Sequence, residues 1–336
     1  MMNVFLYPFN DIQKTSMKNS YQDNFIRNLE NNPIKIVNKQ TKYGVLDIIT
    51  YFNKTDIFYF NFIENLPQRK FGLLQSLIFL FILLFIKIFR KKIVWVLHNK
   101  ISHSESFKIV KKVLMIIMLN TSNKIITLSK EGIEYGNKYT IKKRKISFFN
   151  HPVENNLSSE INNIDKDIDI LIWGRITKYK GVGDFLEFLL FKEKLNHLKI
   201  TIAGKIDDPE LRRKIANYKI KSNLEIIDEF ITDNVLVDLH KRSKSVLFTY
   251  KGKSVLSSAA LMYSLGHGTN IIGPNVGAFR DLKEFNLINT YESYDDFLEK
   301  IQKNESHIDF EKLNKFIEDN SWKNFTYNIY QILKQL

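Results

Sequence analysis

Between residues 168 and 272 short apolar runs alternate with amphipathic ones at a spacing that few architectures accommodate. The run 168–173 has the length of a strand and is followed by a helical pattern over 182–191. A strand at 198–203 and a helix at 209–216, with Pro209 in its first turn, repeat the cycle. Next come a strand at 224–227, a helix capped by Asp233 and running to Lys241, and a strand at 245–250. A helix at 257–265, stopped by Gly266 and Gly268, and a strand at 270–272 complete the series. Strands separated by single helices need crossover connections, and these build a parallel sheet with helices on both faces.

Residues 1–150 repeat the theme less cleanly, with strands expected at 3–7, 34–37, 57–60, 93–97, 124–128 and 146–149. Helical patterns fall at 20–29, 46–52, 73–89 and 106–119. A chain of 336 residues has room for two domains. The Asn- and Ser-rich stretch 154–167 has no apolar period and is the expected linker. The expected fold is therefore α/β, with an N-terminal domain over 1–153 and a C-terminal domain over 168–319. Each would be a doubly wound, Rossmann-like sheet, the two facing a central cleft where two substrates meet.

Positive charge gathers in the first half, where residues 1–165 carry 24 Lys and Arg against 12 Asp and Glu. Residues 166–336 carry 26 against 24. Such a surplus attracts anionic lipid, phosphorylated substrate or nucleic acid. No zinc-finger or aromatic RNA-binding motif accompanies it, so nucleic acid is not an expected partner. The absence of cysteine removes disulfides, thiolate metal ligands and a cysteine nucleophile. The helical stretch 73–89 holds an unbroken apolar run at 77–86, short of the roughly 20 residues a membrane span needs. Lys87, Arg90, Lys91 and Lys92 follow, a pattern that fits a helix buried in a domain or one dipped into an anionic membrane surface.

The strand at 168–173 empties into Gly174-Arg175-Ile176-Thr177-Lys178-Tyr179-Lys180-Gly181, directly before a helix. Glycine allows a tight turn, a guanidinium and an ammonium suit phosphate oxygens, and a helix N-terminus adds positive potential. Gly174, Arg175, Lys180 and Gly181 are thus the expected parts of an anion cradle. Lys205, just past another strand end, either reaches a phosphate or sits in solvent. Ser257 and Ser258 head a helix whose amides and hydroxyls either bind a phosphate or sugar or serve as plain N-caps.

That loop resembles the GR-x4-KG signature of group 1 (family 4) glycosyltransferases of the GT-B architecture. The resemblance implies that Arg175 and Lys180 hold the diphosphate of a nucleotide-sugar donor. It extends over nearly the whole second half. Ile202-Ala203-Gly204 is similar to the family's "IAG" strand end, and Gly268-Thr269-Asn270-Ile271-Ile272 with Asn275-Val276-Gly277 is similar to its "GTPVI…DVG" stretch. Asn320-Ser321-Trp322, with Tyr327 and Tyr330, resembles the family's terminal helix, which implies that residues 320–336 cross back onto the first domain. The family's two glutamates around a Gly-Phe-Gly turn are missing, with Val255 and Tyr263 in their places. The donor sugar, the nucleobase and the stereochemical course stay open.

In the first half the strand 93–97 empties into His98-Asn99-Lys100-Ile101-Ser102-His103-Ser104-Glu105. An imidazole at a strand end acts as a base near neutral pH or donates a hydrogen bond to a sugar hydroxyl. The segment is similar to the "HN…PHE" pattern of a subset of GT-B transferases, with Ser102 where that pattern has proline. His98, His103 and Glu105 are the catalytic candidates. Asn99, Asn10 and the residues from Lys14 to Asn19 are acceptor-side candidates by position alone, and His151 in a family-like "HPV" segment is assigned to structure.

The resemblance implies transfer of a hexose from a UDP- or GDP-sugar to a glycan or lipid-linked glycan in bacterial surface polysaccharide synthesis. It further implies no cofactor and no metal, and charge and grease together suggest a peripheral enzyme on the cytoplasmic face of the membrane. A sugar-nucleotide epimerase of the same fold and a non-catalytic nucleotide-sugar or membrane-surface binding protein are the rival readings.

Overall fold

A computed structural model describes residues 1–9, 20–100, 106–141, 146–157, 165–192, 197–219, 223–251, 255–302 and 308–336. The chain forms two compact units, one made of Met1–His151 with Asn320–Leu336 and the other of Pro152–Asp319. The first holds β1 (Met2–Tyr7), α1 (Ser20–Leu29), β2 (Ile34–Ile36), α2 (Asp47–Tyr51), β3 (Ile57–Asn61), α3 (Gly72–Ile88) and β4 (Lys92–Leu97). It continues with α4 (Lys108–Thr121), β5 (Lys124–Thr127), α5 (Lys130–Asn137) and β6 (Ile146–Phe148).

All six strands run parallel in the order β2-β1-β3-β4-β5-β6. Every residue of β3 is buried, as a strand covered on both faces requires. Alternate side chains go to opposite layers. Leu6, Tyr59, Val94 and Val96 pack with Phe25 and Leu29 on one side. On the other, Phe5, Phe58 and Phe60 form an aromatic row that meets Phe79 of α3 edge-on at 5.3 Å. β2 is short because Asn38 takes over its ladder: its Oδ1 accepts from the Leu6 N–H and its Nδ2 donates to the Leu6 carbonyl.

The second unit holds β7 (Ile168–Trp173), α6 (Val182–Phe191), β8 (Ile200–Ala203), α7 (Pro209–Lys219), β9 (Leu224–Ile227), α8 (Asp233–Arg242) and β10 (Ser243–Leu247). After these come α9 (Ala259–Gly266), β11 (Asn270–Pro274), α10 (Gly277–Glu284), β12 (Asn289–Tyr291), α11 (Tyr294–Gln302) and α12 (Phe310–Asp319). The last helix, α13 (Trp322–Lys334), belongs to the first unit, where Phe325 and Ile329 pack with Phe25 of α1. The second sheet is also all parallel, in the order β12-β11-β10-β7-β8-β9. Strand order reverses between β1 and β3 in one unit and between β7 and β10 in the other.

Several boundaries differ from the sequence reading. Asp233 is the first helical residue and not a cap, and Thr232 holds the cap position without a side-chain bond. α9 starts at Ala259, with Ser258 as its N-cap. β10 ends at Leu247, so Phe248 to Tyr250 leave the ladder. Residues 154–157 and 165–167 pack on the second unit: the Asn156 N–H donates to the Gly266 carbonyl at 3.0 Å, and Arg242 pairs with Asp167 at 2.7 Å. No described helix is long and apolar enough to cross a membrane.

Just past β3, Glu64 is only 4% exposed, and among the described residues neither of its carboxyl oxygens has a side-chain hydrogen-bond partner. Burial pushes its pKa from 4.5 up to about 7, with the Lys111 ammonium opposing part of the rise. A carboxyl whose folded pKa exceeds its unfolded one binds its proton more tightly when folded, so stability falls as pH rises between the two values. The shift corresponds to about 3 kcal/mol above neutrality. Relative to the parent, Glu64→Gln should remove a loss of stability between about pH 4.5 and about pH 7, read from urea midpoints across that range. Equal slopes for both proteins would contradict the assignment.

Candidate functional site

At a switch point the connections after two neighbouring strands diverge, which opens a crevice at their C-terminal ends. In the second unit those strands are β7 and β10. Gly174 follows β7 with φ 90° and Gly204 follows β8 with φ 143°, and a Cβ on Gly204 would lie 2.1 Å from the Gly174 carbonyl oxygen. Ile176 and Ile206 then form a parallel bridge that laces the two loops. Gly181, at φ 71° just before α6, presses on the extension of β10: a Cβ there would sit 2.1 Å from the Thr249 carbonyl oxygen. The Thr249 hydroxyl donates to the Lys180 carbonyl, and the Lys251 N–H donates to the Tyr179 carbonyl at 2.8 Å. Backbone contacts thus hold this loop in place.

Lys180 turns inward. Its Nζ donates to the Trp173 carbonyl at 3.3 Å and lies 5.9 Å from the centre of the Tyr250 ring. A Cβ on Gly174 would come within 2.9 Å of that nitrogen, so the glycine is what leaves it room. Among the described residues no carboxylate meets this ammonium, and burial pulls its pKa from 10.5 down to about 8. Tyr250 stacks between Tyr179 and Phe248 and hydrogen-bonds to Ser258 Oγ at 3.0 Å.

The neighbouring cations are already paired. Arg175 Nε donates to Asp207 at 2.5 Å with its side chain 70% exposed. Lys178 meets Asp208 and Glu210, and Lys205 lies 3.6 Å from Asp228, which also takes Arg212. Gly174, Lys180 and Gly181 therefore come together, with Ser258 joined to them through Tyr250, while Arg175 and Lys205 are turned to carboxylates. Ser258 Oγ also accepts from the Leu261 N–H, the N-cap role. The hydroxyls of Ser257 and Thr177 are buried with no partner among the described residues. Val255 is in the core, and Tyr263 packs on Trp173 at 5.2 Å.

In the first unit, His98 follows β4 beside the end of β3. Its Nε2 is 2.9 Å from Asn61 Oδ1, and its ring lies flat on Phe62, with centres 4.0 Å apart. Tyr21 meets it edge-on and also contacts His151 and Trp322. An amide oxygen only accepts, so Nε2 carries the proton and Nδ1 keeps the lone pair. Burial, with a smaller contribution from His151, pushes the His98 pKa down to about 3. Such an imidazole is neutral at physiological pH and is a weak proton acceptor, so its Nδ1 is fitted to receive a hydrogen bond and not to hold a proton. Asn99 follows, half-buried. His103, Glu105, Asn10, Lys14 and Asn19 lie outside the described residues. Among the described residues no three His, Asp or Glu side chains gather into a group that could hold a metal. Asn61, Phe62, Tyr21, Thr249 and Tyr250 were not assigned roles from sequence; their position beside strand ends at the two switch points is the signal that finds them.

Neither a family model nor a curated protein sequence matches this chain. Solved structures do. Anabaena HepE in complex with UDP and glucose aligns over 100% of both chains with TM-score 0.70 at 13% identity. Sucrose-phosphate synthase from Thermosynechococcus elongatus aligns over 100% of this chain and 99% of its own with TM-score 0.73 at 10% identity. The lipopolysaccharide outer core galactosyltransferase WaaB aligns over 100% of both chains with TM-score 0.67 at 14% identity. The fold is GT-B. Each unit of this GT-B chain carries its own reversal of strand order, with Lys180 at one and His98 beside the other.

Placing a carboxylate against the His98 imidazole should undo its neutrality. Asn61→Asp is expected to raise the His98 pKa by about 2 units or more, seen as an imidazole resonance that moves in an NMR titration. In the parent the same resonance should stay still above about pH 5. A variant as silent as the parent would contradict the Nε2 to Asn61 contact.

Proposed function

We propose that this GT-B chain is a glycosyltransferase that moves a hexosyl group from a UDP- or GDP-linked sugar to a glycan or lipid-linked glycan of a surface polysaccharide. The observation that carries this reading is Lys180, a partly buried ammonium with no carboxylate beside it among the described residues. A cation held in that way is stabilised by an incoming anion, and a diphosphate at the head of α6 would meet the ammonium and the helix N-terminus together. HepE is known in complex with UDP and with UDP-glucose, and WaaB is described as a galactosyltransferase, which supports the same class of donor here.

The chemistry follows from charge. When the bond between the anomeric carbon and the phosphate oxygen breaks, negative charge grows on the departing diphosphate, and Lys180 with the α6 N-terminus stabilises it. We assign this neutralisation to the protein alone, without metal or cofactor. The His98 Nδ1 lone pair is assigned to orient a sugar hydroxyl. Arg175 would join the diphosphate only by leaving Asp207.

Calorimetric titration with UDP and GDP tests the donor site. Lys180→Ala should weaken the preferred nucleotide by about 10- to 100-fold. Arg175→Ala should cost less than about tenfold, because the exposed guanidinium already has a partner. Unchanged affinity for both nucleotides in Lys180→Ala would overturn the reading. Nucleotide release from a panel of UDP- and GDP-sugars then separates the classes. A transferase needs acceptor, an epimerase turns over its donor without one, and a binding protein releases nothing in either case.

A further inference from the structure

α3 is apolar on both of its faces. Phe79, Ile82, Leu83 and Ile86 are buried against the sheet, while Leu73, Leu74, Leu77, Phe81, Leu84, Phe85 and Ile88 recur along the opposite face and are exposed. A surface helix ordinarily turns polar residues outward. Here the polar groups are consumed within the fold: Gln75 bonds the Val45 N–H and the Lys70 carbonyl, Ser76 bonds the Gly72 carbonyl, and Lys87 reaches Asn123. Between α3 and the turn after α2 lies an apolar groove of about 570 Å³, lined by Ile49, Phe52, Phe81, Phe85 and Phe89. That volume is within the range of small-molecule sites, about 300–1,000 Å³.

The charge around this face is predominantly positive. No Asp or Glu occurs between Glu64 and Glu105, whereas Arg69, Lys70, Lys87, Arg90, Lys91, Lys92 and Lys100 do. Of the two acids that flank the groove wall in sequence, Asp47 is buried and accepts the Lys42 and Tyr43 amides, and Asp56 is exposed and accepts the Asn3 amide. The Lys91 ammonium lies 5.2 Å from the centre of the Phe52 ring, so a cation stands over a wall of the groove itself. Apolar side chains backed by cations that outnumber the acids match the two layers of an anionic leaflet, hydrocarbon below and phosphate above.

We propose that this face docks on an anionic phospholipid bilayer and that the groove between α2 and α3 receives one hydrocarbon chain of a leaflet lipid. The proposal stands apart from the transferase reading, since it uses none of the donor-site residues. Phe81 and Phe85 grip the chain, and Lys54, Arg90 and Lys91 hold the headgroup phosphate.

Flotation with phosphatidylcholine vesicles, with and without phosphatidylglycerol, tests it. Binding is expected only with phosphatidylglycerol and should weaken as salt rises. The Phe81→Ser/Phe85→Ser double variant should lose at least about tenfold in bound fraction, with an unchanged melting curve because both side chains are exposed. Lys54→Gln/Arg90→Gln should lose the preference for phosphatidylglycerol. Tryptophan emission from Phe85→Trp should be quenched by phosphatidylglycerol brominated in its acyl chain. Binding without quenching would remove the chain from the groove. No association at low salt, or light scattering that shows a dimer dispersed by the double serine variant, would overturn the docking itself. UDP affinity, measured on the same samples, reads the donor site separately.

Discussion

A parallel sheet covered on both faces leaves polar chemistry little room except at the ends of its strands. In β3 and β4 the middles are occupied by Phe58, Tyr59, Phe60, Val94, Trp95 and Val96, all buried. Chemical groups therefore collect where strands stop, and among strand ends the diverging pair at a switch point has the most open space. Both clusters described here lie at strand ends, the second at the switch pair itself and the first one strand over from it. Asn61 and His98 end neighbouring strands of one sheet, and the Gly174 to Gly181 loop leaves β7 beside the extension of β10 in the other. Each residue's role follows from its address in the sheet before its chemistry is considered.

The second constraint is competition for charge. Four cations crowd the region after β7 and β8, and each would serve a phosphate if it were free. Asp207, Asp208, Glu210 and Asp228 claim Arg175, Lys178 and Lys205. Those pairs are largely exposed and are worth little individually, so they yield readily to a stronger anion. Lys180 differs in kind. Its partners are a carbonyl and a ring face, neither of which cancels its charge, and burial has already lowered its pKa. In the proposed donor site one uncompensated cation stands beside several loosely held ones, and the inner lysine would supply most of the affinity.

The alternating αβ order, and with it the fold class, was legible because apolar period changes from strand to helix along the chain. The misses have local causes. α5 contains Gly132 and Gly136, which argue against a helix by propensity. Both face the sheet: a Cβ on Gly132 would collide with Thr127 at 1.8 Å, and one on Gly136 would lie 2.5 Å from Ile146. Glycine there lets the helix settle close on β5 and β6, a tertiary reason invisible in a window of sequence. Phe248 to Tyr250 read as strand because they are apolar or aromatic, yet they leave the ladder and set the Tyr250 ring beside Lys180. His98 was visible as a strand end, but its Asn61 partner lies 37 residues away, and only the order β3-β4 brings the two together. The Arg175 to Asp207 pair spans 32 residues and depends in the same way on β7 lying beside β8.

The helix at residues 73–89 was the most ambiguous stretch, since an apolar run of that length suits a buried core helix and a membrane-contacting one equally well. Burial shows that the core description holds for one face only, and the other face is apolar and exposed. Phe79 sits in the aromatic row of the sheet, and two residues on, Phe81 is 58% exposed. A helix that only filled the core would have no reason to keep phenylalanine and leucine outward, because polar residues there cost nothing in packing and remove an aggregation hazard. Their recurrence along four turns, next to cations that outnumber the acids, is the observation on which the proposed membrane docking rests. The fold supplies the rigid backing, since the inward face anchors α3 to β3 through Phe79 and Phe60.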